Sequence, residues 1–361
     1  MSVRKIAGFT LLFTLSLVLM GCGSATLPST PAERGAGRLA FVANLFSNTV
    51  STFAVDNETG QLSLQGTAAT GGTSPRVVAV GPSGRFAYVA NIVSNDISVL
   101  AIDSNTGALR ILGSPVPARD GPRFLVLGPT GSILYVLNQD ADHITGFSIN
   151  SNTGGLTPLT GTVPTDDQPV ALSFHPSGRF AYVANANSGD ITIYAVESSG
   201  ALGLLGATPS RENPVSMAMH PSGKFAYVAN FGSNDITIFS VDVGTGALTT
   251  LVPRANTGDG PTSITVDSQG RFAYVTNTTS GNVSVFAINS TTGALVPVSN
   301  AAAGSNPVAL ILDSSSRFAY VANLGSDNVT TFSVDSTTGA LTPSGPPLNA
   351  GVGPVWVALS R

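Results

Sequence analysis

The heptapeptide RFAYVAN at residues 85–91 decides the fold, because it does not stand alone. It returns unchanged at 179–185 and 317–323, as KFAYVAN at 224–230 and RFAYVTN at 271–277, and in looser form as RLAFVAN at 38–44 and SILYVLN at 132–138. The terminal asparagines, Asn44, Asn91, Asn138, Asn185, Asn230, Asn277 and Asn323, are spaced 47, 47, 47, 45, 47 and 46 residues apart. A period of this length running through the chain marks an array of supersecondary units.

Working outward from the heptapeptide, each unit shows three more strand signals. A proline-led run precedes it (PRVVAV, 75–80), and a third strand (NDISVLAI, 95–102) and a fourth (GALRIL, 107–112) follow. The intervening PSG (82–84) and DSNTG (103–107) are turn sequences. The strands are apolar without clean alternation, as expected of sheets covered on both faces. Four-stranded units of this length read as propeller blades. The first unit lacks a proline-led strand, and the chain ends in one that has no unit of its own, GPVWVALSR at 353–361. The sequence therefore predicts an all-β fold: a seven-bladed β-propeller with four antiparallel strands per blade, its ring closed by the C-terminal strand and spanning 38–361.

Composition narrows the function. Of 361 residues 42% are hydrophobic and only 10% charged, with 16 Lys and Arg against 20 Asp and Glu. Soluble domains usually carry about 25% charged residues, so Ser, Thr, Asn and Gly must build this surface. With Lys5 and Lys224 the sole lysines, there is no basic stripe for a phosphate backbone, and nucleic acid is excluded as a partner. A single cysteine excludes a disulfide framework and cysteine-based zinc sites. Neither a metal nor another cofactor is expected.

The start of the chain reads as an address. Arg4 and Lys5 precede an apolar run from Ile6 to Met20 that is short of the roughly 20 residues a membrane span needs. Leu19-Met20-Gly21-Cys22 resembles the bacterial lipobox, which implies lipidation of Cys22. Residues 1–21 are then a lipoprotein signal peptide, and 22–37 are the lipidated cysteine with a flexible tether. Gly23 after the cysteine resembles lipoproteins sorted to an outer membrane. The expectation is an exported protein anchored in the cell envelope, at the outer membrane or periplasm.

The repeated YVAN, with PSGRF upstream and TGAL downstream, resembles the YVTN-repeat propellers and the lactonase-type seven-bladed propellers, a group that includes bacterial 6-phosphogluconolactonase. That family typically shows Gly-Pro-Arg-His at a first strand and Glu after the YVxN that follows. Gly121, Pro122 and Arg123 match, but Phe124 stands at the His position and Gln139 at the Glu position. The resemblance therefore carries over Arg123 alone, as an anion or oxyanion contact.

Residues shared by all copies are most economically structural, so candidate sites lie where the copies differ. Loops from a fourth strand to the next first strand carry Arg119, Asp120 and Arg123, then Asp166 and Asp167, then Arg211 and Glu212, then Arg254 and Asp259, with Arg76 nearby. The third unit adds Gln139, Asp140, Asp142 and His143 on the same face. This charged sector predicts a lipid-anchored module that binds a small molecule, glycan or protein through Arg76, Arg119, Arg123, Gln139, Asp142, His143, Asp166, Asp167, Arg211 and Arg254. The alternative is a lactonase opening a cyclic ester. His175 and His220, ahead of PSG turns, read as turn caps rather than metal ligands.

Overall fold

The computed structural model describes residues 38–360, and every regular element among them is a strand. Residues 1–37, where a signal peptide, a lipidated Cys22 and a tether are expected, lie outside the described residues. The strands form seven antiparallel sheets, one per repeat. In blade 2 the order from axis to rim is Pro75–Val80, Phe86–Asn91, Asp96–Ile102 and then an outer strand in two pieces, Leu109–Ile111 and Val116–Pro117. Blade 1 takes its inner strand from the C-terminus: Pro354–Leu359 pairs antiparallel with Leu39–Asn44. The ring is closed three-plus-one, and the inner edge of blade 1 is paired.

The heptapeptide strands are the packed centre of each blade. All six residues of Phe86–Asn91 are buried, and the same holds in the other blades. Their faces meet neighbouring blades, which is why apolar residues fill both strand faces.

The Thr-Gly turns fasten blade to blade. Gly246 has φ +77°, and a Cβ there would fall 2.6 Å from the Phe180 ring of the preceding blade, so the position demands glycine for both conformation and space. Tyr182 Oη donates to the Gly246 carbonyl at 3.0 Å. At the same end of the blades, in the turns that follow the inner strands, His175 Nε2 donates to the Gly223 carbonyl (3.0 Å) and His220 Nε2 to the Gly270 carbonyl (2.9 Å). Nδ1 of each accepts from a serine amide within its own turn. Both histidines link adjacent blades as well as capping their turns.

Candidate functional site

Every inner strand enters the ring at its proline, so the seven residues that follow the prolines sit at equivalent places around the axis. They are Arg76, Arg123, Val170, Val215, Thr262, Val308 and Val355, and all of them line a central cavity of about 500 Å³. Two adjacent blades thus put guanidinium groups where four others put valine. Sequence reasoning passed over this ring. Its signal was one residue after each proline, where two Arg, four Val and one Thr stand in a single register.

Arg76 and Arg123 are half-buried in the wall. Burial lowers Arg76 from the ordinary arginine value. Arg123 is pulled down to about 9, first by burial and then by the positive charge of Arg76, against which Asp140 acts. Arg123 remains charged at neutral pH. Arg123 Nη1 donates to Gln139 Oε1 at 2.8 Å, so the Gln at the Glu position orients a cation instead of activating water. Phe124 packs edge-on against Trp356, ring centroids 5.5 Å apart, and fills the His position with an aromatic wall. Across the shaft Thr262 is tied to Thr278, Oγ1 to Oγ1 at 2.8 Å. Asn213 and the half-exposed Phe231 complete the lining near the mouth.

The remaining candidates fall into two groups. Asp142 and His143 serve the loop scaffold. Asp142 has φ +52° and accepts the Gln168 amide at 2.9 Å, the same bond that Asn48, Asn95, Asn234 and Asp327 make in other blades. His143 Nδ1 donates to the Ala141 carbonyl, and its own carbonyl accepts from Asn138 Nδ2 at 3.2 Å. Arg119, Asp166 and Arg211 occupy one equivalent slot in blades 3, 4 and 5, where the other blades have Gly72, Gly258, Gly304 and Gly351 over the strand-end asparagine. In blade 5 Arg211 Nε lies 3.4 Å from Asp235 Oδ2. In blade 4 the corresponding partners are both acidic: burial, with the facing Asp166, pushes the Asp190 carboxyl above its ordinary value. Asp166 Oδ2 also accepts the Thr192 hydroxyl at 3.2 Å. Asp167 accepts from Asn187 Nδ2, and Arg119, Asp167 and Arg254 are exposed. Among the ten candidates, Arg76 and Arg123 line the cavity and Gln139 contacts Arg123.

The family described as lactonase, 7-bladed β-propeller, matches residues 32–121, 115–174, 160–262, 216–312 and 250–359. The chain belongs to this lactonase family. Among solved structures, a provisionally named 6-phosphogluconolactonase of Bacteroides uniformis is 21% identical, with a TM-score of 0.79 over 90% of this chain and 99% of that one. The periplasmic gluconolactonase of Pseudomonas aeruginosa is 19% identical, with a TM-score of 0.78 over 90% and 99%. A Lactobacillus plantarum protein is 22% identical, with a TM-score of 0.77 over 90% and 99%. No curated protein matches the sequence. Family membership overturns the expectation of a binding module working through the charged loop sector. That expectation weighted charge on the loops and overlooked the ring of inner-strand residues.

Proposed function

We propose that this lactonase-family propeller opens cyclic esters at the mouth of its shaft. The observation that carries the reading is the pair of half-buried arginines, Arg76 and Arg123, on adjacent blades in the wall of the central cavity. Ring opening of a lactone by water passes through a tetrahedral species whose former carbonyl oxygen bears the negative charge. Donors that are already oriented and desolvated stabilise that charge without reorganising. Arg123, held by Gln139, and Arg76 supply them, and their mutual repulsion favours an anion between them. The family's His and Glu are absent, so the proton must leave the attacking water through another group. We propose Asp140, an exposed carboxylate of the adjoining loop whose charge acts on Arg123, as that group. Acid release from γ- and δ-lactones, followed at constant pH with purified protein, tests this reading. A rate equal to the spontaneous one sinks it.

We also propose that Cys22 is acylated and places the propeller in the cell envelope. The support is the Leu19-to-Cys22 motif after a short apolar run. A structural relative bears the name periplasmic gluconolactonase, which suits such a location. A Cys22→Ser chain that is still processed and found with membranes would refute the anchor.

A further inference from the structure

A site for a polyhydroxylated sugar needs many free hydrogen-bonding groups, since each hydroxyl removed from water must find a partner. The shaft has hydroxyls, but apart from Ser263 the strands bond to them. Ser173 Oγ donates to the Met217 carbonyl (2.6 Å), Thr265 Oγ1 donates to the Leu310 carbonyl (2.9 Å), and Ser216 Oγ accepts the Ile264 amide (3.1 Å). Thr262 Oγ1 is shared between Thr278 and the Pro307 carbonyl. These bonds stitch one inner strand to the next and use hydrogen-bonding capacity that a ligand would otherwise meet. What remains facing the cavity is chiefly apolar: the valine ring and the Phe124–Trp356 pair. The apolar character continues outward, where Phe231 is 42% exposed and Phe46 64%, on second-to-third-strand loops of the same face. Charge in the wall is confined to the two arginines, with Gln139 beside Arg123.

We propose that the shaft takes a lactone bearing an alkyl or aromatic substituent, the ester carbonyl at Arg76 and Arg123 and the substituent along Phe124, Trp356 and the valine ring, in place of a sugar lactone. The reaction rests on the hydrolase reading given above; the binding preference does not. A cavity of about 500 Å³ accommodates a ring with such a substituent.

Trp356 is the one tryptophan in the chain and lies in the wall, so its fluorescence reports occupancy without turnover. The full-length protein would be titrated with γ-butyrolactone, γ-octalactone, γ-dodecalactone and glucono-δ-lactone, following Trp356 emission and ring opening together. The expected result is a saturable emission change for the alkyl lactones, with affinity rising about fourfold per methylene until the shaft is filled, and a far weaker response to the sugar lactone. Phe231→Ala, at an exposed rim position, should cut the advantage of dodecalactone over butyrolactone roughly tenfold. Val215→Asn, deeper in the wall, should do likewise, so the test survives if either variant folds poorly. Binding of alkyl lactones without ring opening would refute the hydrolase reading and leave this inference standing. Glucono-δ-lactone bound or opened as well as dodecalactone would refute this inference and leave the hydrolase standing, and silence toward every lactone would sink both.

Discussion

The inner strands of blades 2 and 3 and those of blades 4 to 7 share backbone, proline and register, and differ at the residue facing the mouth of the shaft. Blades 4, 5 and 7 place Val170, Val215 and Val308 there, and blade 6 places Thr262, whose hydroxyl is absorbed by Thr278. Blades 2 and 3 place Arg76 and Arg123; the charge of Arg76 lowers the proton affinity of Arg123, which is met by a single side-chain carbonyl, Gln139 Oε1, and by the charge of Asp140. A repeated scaffold tolerates such a pair because five other copies and the closure carry stability. The difference teaches that the site is a local departure from the repeat, held against an electrostatic cost.

The largest effect should come from removing one member of the ring altogether. Deleting 354–361 takes away the strand paired with Leu39–Asn44 together with Trp356, leaving an open edge and exposed blade faces. Loss of the cooperative thermal transition is expected, and a truncated chain that melts like the parent would show that the seven inner strands are not interdependent. Next, Arg123→Ala should lower lactone turnover about 100-fold, the scale of one lost oxyanion donor, and Arg76→Ala should act in the same direction. Equal loss on replacing the remote Arg254 would erase the distinction between the two regions.

Stability should move the other way at the same residue. Arg123 binds its proton less well folded, at about 9, than unfolded, so the folded state bears the full cost of the charge below about pH 9 and sheds it as pH rises above. Arg123→Met, which makes the blade 3 position resemble the valine blades, should therefore raise the melting temperature at neutral pH. That advantage should shrink above pH 9. A variant destabilised at pH 7 would break the comparison.

The smallest effect concerns blades 4 and 5. Asp166→Arg would give blade 4 the pairing that Arg211 and Asp235 make in blade 5, with a gain of about 1 kcal/mol or less at a partly exposed site. Because Asp190 has a raised folded value, its cost is absent at low pH and appears as pH rises through that value. The gain should follow the same course in denaturant titrations at several pH values, and a gain already complete in acid would exclude the carboxylate pair as its source.

How much of the site was legible differs from residue to residue. Arg123 was visible as part of a Gly-Pro-Arg run, and Gln139 as a departure after YVLN. Their hydrogen bond was not, since Gln139 follows the strand next to Arg123's and only the pairing of Pro122–Leu127 with Ile133–Asn138 brings it beside Arg123. Asp142 and His143 carried the residue types of a catalytic pair. Their side chains go to backbone groups in the loop, a use that composition cannot reveal because a carboxylate accepting an amide looks the same in sequence as one awaiting a substrate.

The sequence by itself determined the number of blades, the order of strands, the turn positions and the C-terminal closure. Those follow from period, apolar runs and turn residues, all of which act over short stretches of chain. Tertiary structure decided that Arg76 and Arg123, 47 residues apart, meet over one cavity. It also decided that the shaft's hydroxyls bond to neighbouring strands and that Phe124 reaches Trp356 from the far end of the chain. Closing the ring converts positions that are equivalent along the chain into neighbours around an axis, and the chemistry of a shaft belongs to that circle rather than to any one segment.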